Sequence, residues 1–292
     1  MRISLIDVDS KIPNLALMKI SAYHKNKGDT VGFNLSNPDK IYSSIIFKKN
    51  NGKSMNQQIQ PIPIEYGGTG YDLSIKLPDY IEFIKPDYNL YPSTYSQGFT
   101  TRGCTRNCYF CVVPKKEGKL RRSQHPKEFY DDRFNTIMIM DNNWLADREW
   151  FFKTSQWILD QKLKVIEHGL DIRLLDKESI QRLQDLKIKL WHFAFDFIEY
   201  TPVVKDKIKL LKKCGVNTKN KVCIYCYIHD DLHFDNALAR CNILRDLGVN
   251  ARPMWNCDSQ KTQRVRSLLK WAWRPCLYWK FPFNEYSKLK HT

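Results

Sequence analysis

The chain has 292 residues, 42% of them hydrophobic, with 47 Lys and Arg against 31 Asp and Glu for a formal net charge of +16. That length and apolar share fit one large or two ordinary globular domains, and no apolar run reaches the roughly 18 residues that would span a membrane. Residues 1–9 turn charged too soon for a signal peptide, so a reducing cytoplasm is expected, where nine cysteines argue for metal ligands or buried thiols rather than disulfides.

Residues 1–77 read as a small Rossmann-like, doubly wound domain. An apolar run at 3–9 reads as a buried strand. Residues 13–24 place apolar side chains at helical spacing, with Pro13 suited to a first turn. Residues 30–33 and 40–47 read as two further strands, and strand, helix, strand at short intervals implies a parallel sheet. Gly67-Gly68-Thr69-Gly70-Tyr71 reads as a tight turn rather than a phosphate loop, because no helical pattern follows it at once. Residues 78–95, rich in Pro, Asp and Tyr, read as a linker.

From residue 96 the pattern changes. Short apolar runs at 97–101, 136–141, 164–171, 189–196, 221–228 and 250–254 alternate with helical patterns at 147–159, 177–186, 204–214, 234–247 and 262–273. Six strands, the last five each followed by a helix, fit an α/β partial (β/α)6 TIM-like barrel over 96–292 with a C-terminal extension. In such a fold chemistry gathers where strand C-termini meet their loops.

The loop after the first of these strands carries Cys104, Cys108 and Cys111, spaced C-x3-C-x2-C, with Tyr109 and Phe110 just before the last. Three thiolates on one loop can hold three irons of a [4Fe–4S] cluster. No fourth cysteine follows nearby, so one iron stays open to an outside ligand, unlike an ordinary cluster protein. The other readings are a Cys3His zinc site completed by His125, or thiols with no metal role.

This spacing, with the aromatic before the third cysteine, resembles the radical S-adenosylmethionine enzymes. The resemblance implies a [4Fe–4S] cluster and S-adenosyl-L-methionine as cofactors. The reduced cluster would cleave the sulfonium, and a 5′-deoxyadenosyl radical would abstract hydrogen from substrate. It also implies a one-electron reductant of flavodoxin or ferredoxin type. Asp141-Asn142-Asn143-Trp144 resembles the acidic second-strand motif that faces the cofactor. No Gly-Gly-Glu element follows that strand, which leaves the amino-group ligand open, with Asn142 or Asp141 the candidates to stand in for it. Gly169-Leu170-Asp171-Ile172-Arg173 resembles a third-strand cofactor motif, with Arg173 offering a two-pronged partner to the cofactor carboxylate. Tyr109 and Phe110 would pack near the adenine, and Asn256, after the sixth strand, would meet adenine or substrate. For the strand-end acids, Asp196 included, the competing role is helix capping.

Residues 1–77 resemble the cobalamin-binding-like domain of some radical enzymes. The D-x-H-x-x-G pattern is absent and His24 sits inside a helix, so the fold is expected without cobalamin and His24 as a packing residue. Methylthiolation of RNA is a conceivable specialisation, but such enzymes carry a second cluster on N-terminal cysteines, and none precedes Cys104.

Basic clusters at 115–122, 205–213 and 261–274 leave nucleic acid open as a substrate, or as the partner of a non-catalytic protein with a structural zinc or iron–sulfur site. Cys223 and Cys226 lie three apart in an expected strand and so point to opposite faces. Cys214, Cys241, Cys257 and Cys276 are scattered. The aromatic tail, Trp271 to Phe283, reads as packing rather than as a base-stacking surface.

Overall fold

The structure is a computed structural model that describes residues 1–53, 62–256 and 260–288. Cys257 lies outside the described residues. By its internal contacts the chain forms two compact units. One comprises Met1–Asp141 with Asp160–Leu163, the other Asn142–Leu159 with Lys164–Thr292.

The first unit opens with β1 (Arg2–Asp7), which buries Ile3 and Leu5. Helix α1 (Leu15–Asn26) begins at Asn14, whose side chain accepts the Leu17 N–H at 3.2 Å. That bond satisfies one of the donors a helix start leaves open. Pro13 therefore falls just before the cap rather than inside the first turn. Strands β2 (Thr30–Phe33), β3 (Lys40–Ser44) and β4 (Ile64–Gly67) complete a sheet of order β2–β1–β3–β4, every pair parallel. Leu17 and Ile20 of α1 pack with Ile3, Leu5 and Ile81 into its core. The turn after β4 needs glycine. Gly68 has φ +99°, and a Cβ there would lie 2.2 Å from the Ile45 carbonyl oxygen.

Residues 78–95 are packed. Helix α2 (Asp79–Glu82) buries Ile81, and the Tyr88 hydroxyl donates to the Phe129 carbonyl at 2.6 Å while accepting the Gln97 N–H at 2.9 Å. Strand β5 (Ser96–Gly98) follows, then the short antiparallel pair β6 (Thr101–Arg102) and β7 (Arg121–Arg122). The one-turn helix α3 (Val113–Lys116) lies between β6 and β7, and α4 (Pro126–Phe129) follows β7. Strand β8 (Thr136–Ile139) then runs parallel to β5.

The second unit alternates strand and helix. Helix α5 (Arg148–Asp160), most of which belongs to this unit, precedes β9 (Lys164–Glu167). Helix α6 (Lys177–Asp185) opens on a capping box between Asp176 and Ser179. Strand β10 (Lys187–Ile188) pairs in parallel with β9. Then come β11 (Trp191–Ala194), α7 (Thr201–Lys213), α8 (Thr218–Lys221), β12 (Val222–Ile228), α9 (Phe234–Asp246) and β13 (Asn250–Trp255). β11, β12 and β13 form a parallel sheet in that order. One face of β12, Val222, Ile224, Cys226 and Ile228, is fully buried, and α9 packs on β12 and β13.

The chain continues with α10 (Gln263–Ala272), α11 (Pro275–Lys280) and α12 (Phe283–Lys288). Trp271 and Tyr278 are wholly buried, and Phe283 and Tyr286 nearly so. The Tyr278 hydroxyl donates to the Cys241 carbonyl at 2.9 Å, and Trp279 Nε1 to Asn250 Oδ1 at 3.1 Å. The tail is thus a packing element, Trp273 alone of its tryptophans being exposed, at 51%. The architecture is α/β with parallel sheets. Among the described residues no helix is long and apolar enough to cross a membrane.

Candidate functional site

The cysteine loop is anchored at both ends within the first unit. Its start is fixed by Gly103, at φ +78°, where a Cβ would meet the Lys119 carbonyl oxygen at 2.3 Å. Cys104 forms an isolated bridge to Lys119, just before β7. All three cysteines are half-buried. The Arg106 N–H points at Cys104 Sγ at 3.4 Å and the Val113 N–H at Cys111 Sγ at 3.5 Å. Cys111 N–H donates to the Cys108 carbonyl at 3.0 Å, tightening the second turn. Backbone donors of this kind tune the potential of sulfur-ligated iron. The donor set, three thiols with no carboxylate, suits an iron–sulfur cluster in kind. Among the described residues no three His, Cys, Asp or Glu side chains are drawn close enough to hold a metal as they stand. His125 accepts the Lys127 N–H at 3.3 Å and caps α4. Tyr109 is 62% exposed, and its ring meets Phe110 edge-on with centroids 5.2 Å apart.

Asp141 ends the strand-like run at β8 and is buried. It accepts the Thr100 N–H at 2.6 Å, the Thr101 N–H at 2.9 Å and the Thr101 hydroxyl at 2.7 Å, with a short bond from the Thr100 hydroxyl. Burial pushes its carboxyl up to about 6 against these donors. Asp141 therefore holds the two residues that lead into the cysteine loop.

The neighbouring Arg102 lies 3.6 Å from the Phe99 ring centroid and pairs with Glu117 at 3.2 Å and with Glu82. Glu82 also meets Lys19 Nζ at 3.2 Å, and Lys19, only 2% exposed, donates to Gln124 Oε1 at 3.2 Å. His24 is buried between Asp29, 2.7 Å from Nδ1, and the Tyr42 hydroxyl, 3.1 Å from Nε2. A cavity of about 690 Å³ lies in this unit, lined by Tyr23, Tyr42, Tyr66, Tyr80, Lys19 and Arg102 among others, and none of the three cysteines borders it.

In the second unit, Asn142 Nδ2 is buried without a hydrogen-bond partner among the described residues. Asp171 caps the turn Ile172–Leu174 through the Arg173 N–H at 3.1 Å. Its carboxylate also holds Arg173 in a fork, Nε at 2.7 Å and Nη2 at 2.9 Å, and the guanidinium lies 4.5 Å from the Tyr200 ring centroid. Asp196 accepts the Tyr227 N–H at 2.8 Å, and burial pushes its carboxyl up. Buried Arg240 donates to the Phe195 and Tyr227 carbonyls at 2.6 and 2.8 Å. The Asn256 N–H donates to the Ile228 carbonyl at 3.0 Å, prolonging the β12–β13 ladder.

Cys223 and Cys226 lie on opposite faces of β12, and Cys226 contacts Cys241 on α9. Glu167 and His192 carry no motif that marks them in the sequence. Glu167 ends β9 and accepts the His192 N–H at 2.7 Å, with His192 Nδ1 at 3.2 Å from the same oxygen. An acid followed by histidine at the end of an apolar run was the one available signal.

No family model matches the chain, and no curated protein matches it. Among solved structures, a chain of a mutant XylFII–LytSN complex is 15% identical, covering 86% of this chain and 84% of that one, with a TM-score of 0.16. A likeness at that level carries no argument about fold or function.

Proposed function

We propose that the chain is a radical S-adenosylmethionine enzyme, with a Rossmann-like first domain that has no cobalamin ligand and a partial (β/α)6 barrel after it. The observation that carries the reading is the loop of Cys104, Cys108 and Cys111, with Tyr109 and Phe110 before the third thiol and backbone donors on two of the sulfurs. Cys104, Cys108 and Cys111 would hold a [4Fe–4S] cluster, which would supply the one-electron chemistry for reductive cleavage of S-adenosylmethionine and hydrogen abstraction.

The chain's own side chains divide the remaining work. Asp141 fixes Thr100 and Thr101 and so aims the loop. Asn142, whose buried Nδ2 has no hydrogen-bond partner among the described residues, is the polar contact for the amino acid end of the cofactor. Phe110 and the exposed Tyr109 offer ring surface to the adenine, and Asn256 a further polar contact. Arg173 reaches a cofactor carboxylate only with the guanidinium edge that Asp171 leaves open. An external one-electron reductant of flavodoxin or ferredoxin type is required.

The net charge of +16 favours one second reading, a nucleic-acid-binding protein with a structural metal. The burial of Trp271, Tyr278 and Phe283 removes most of the tail as a stacking surface for it.

The test is anaerobic reconstitution with iron and sulfide, then dithionite and S-adenosylmethionine. About four irons per chain and release of 5′-deoxyadenosine are expected. The Cys104→Ala/Cys108→Ala/Cys111→Ala variant should lose both. One zinc per chain and no cleavage would end the proposal.

A further inference from the structure

The face of the β11–β13 sheet opposite its buried side carries an ordered row of polar side chains. Register pairs His192 with Cys223, and Ala194 with Tyr225 and Arg252. The His192 ring stacks on Tyr225, 16° from parallel with centroids 5.7 Å apart, and His168 also stacks on His192, at 27° and 6.0 Å. Arg252 sits beside Tyr225 as its register partner on β13. Ala194, Arg252 and Met254 are exposed, so this face is open.

Glu167 lies behind the row and is 1% exposed. Its Oε1 takes both the backbone N–H and Nδ1 of His192, while Oε2 has no hydrogen-bond partner among the described residues. With Nδ1 committed to Glu167, no partner among the described residues meets His192 Nε2. Strands β11, β12 and β13 contain no Asp or Glu, and Glu167 of β9 meets the row through His192, leaving Arg252 with no acid on its own sheet. Burial pushes the Glu167 carboxyl up, while its contacts with His192 pull the other way.

We propose that this face binds the oxyanion group of a ligand, carboxylate or phosphate, between Arg252 and His192 Nε2, with Glu167 positioning the imidazole. Arginine grips such groups through two N–H donors, and an imidazole fixed at Nδ1 presents Nε2 in one direction. Calling the ligand the substrate rests on the radical-enzyme reading; the binding itself does not.

Calorimetric titration of the full chain with inorganic phosphate, and separately with acetate, tests it. Saturable binding of one anion per chain is expected, and the tighter of the two identifies the group. Arg252→Ala and His192→Ala should each weaken it about tenfold or more. Lys209→Ala, which removes one exposed charge from α7, should leave it within about twofold. Glu167→Gln should weaken it less than His192→Ala does. Arg252 is exposed, so its replacement does not threaten folding. Binding should persist in the triple cysteine variant, which separates this site from the cluster. No saturable binding of either anion, or equal weakening by Lys209→Ala and Arg252→Ala, would overturn the proposal.

Discussion

Asp141 Oδ2 accepts both the backbone N–H of Thr101 at 2.9 Å and its hydroxyl at 2.7 Å. One buried oxygen thus fixes the main chain and the side chain of a residue three positions before the first cysteine. With the matching pair of bonds from Thr100, four donors depend on this carboxylate.

Asp141→Ala should therefore destabilise the fold by about 3 kcal/mol, because buried donors lose their acceptor and gain no water. Denaturant titration measures the loss. Reconstituted iron content should fall in the same variant. A variant with wild-type stability would show that the donors find other partners.

Gly103→Ala should be nearly as damaging although it adds one methyl group. The left-handed φ and the Lys119 carbonyl at 2.3 Å leave no place for a Cβ. A cost of about 2 kcal/mol is expected from strain and displacement. The gain of iron on reconstitution, followed by absorbance, should slow or stop, whereas Gly118→Ala, where a Cβ meets nothing within 4 Å, should cost less.

Acid should loosen the first unit through Glu82. Burial raises its pKa, but the charges of Arg102 and Lys19 outweigh that and hold it below its ordinary value of 4.5. A depressed carboxyl stabilises the fold above its unfolded pKa and loses that contribution as pH falls through the folded value. Melting temperature should thus drop on acidification below about 4.5, and Glu82→Gln should flatten that limb while lowering the plateau near neutrality. An unchanged acid limb would remove Glu82 from the account.

Arg173→Ala should lower stability by about 1–3 kcal/mol, because Asp171, 8% exposed, is left without its fork. Lysine at the position should rescue only part, since it cannot make both contacts. S-adenosylmethionine affinity, measured on the reconstituted variant, should change less than stability does. A fall of about 30-fold or more with an unchanged melting temperature would make the cofactor carboxylate, rather than Asp171, the main partner of Arg173.

The regular elements were legible wherever one face of a strand or helix is buried. The runs that became β1, β8 and β12 and the patterns that became α5, α7, α9 and α10 are amphipathic or wholly apolar, and period alone finds them. Strand β4 was not, because Glu65 is exposed and Tyr66 and Gly67 only half-buried at the sheet edge. The β6–β7 pair is two residues long on each side and rich in arginine, so no period could show.

The cysteine loop was legible because its residues are neighbours in sequence. The partners of Lys19 were not. A lysine in a helix reads as solvent-facing, yet Glu82 and Gln124 arrive from 63 and 105 residues away to receive it. Glu167 and His192, 25 residues apart, were hidden for the same reason. Asp171 and Arg173 were noticed together, but only geometry shows that they hold each other.

The bonds that Lys19 and its neighbours make also decide how the gene can be cut. A fragment beginning at residue 96 would look like a tidy way to express the cysteine-bearing part alone. It would discard the Pro13 carbonyl that receives Gln97 Nε2 at 2.7 Å and the Tyr88 hydroxyl that receives the Gln97 N–H. It would also strip Lys19 and the Phe83 carbonyl, 3.1 Å from Gln124 Nε2, off Gln124. Insoluble or metal-free protein from such a fragment would report a severed interior, not the absence of a cofactor.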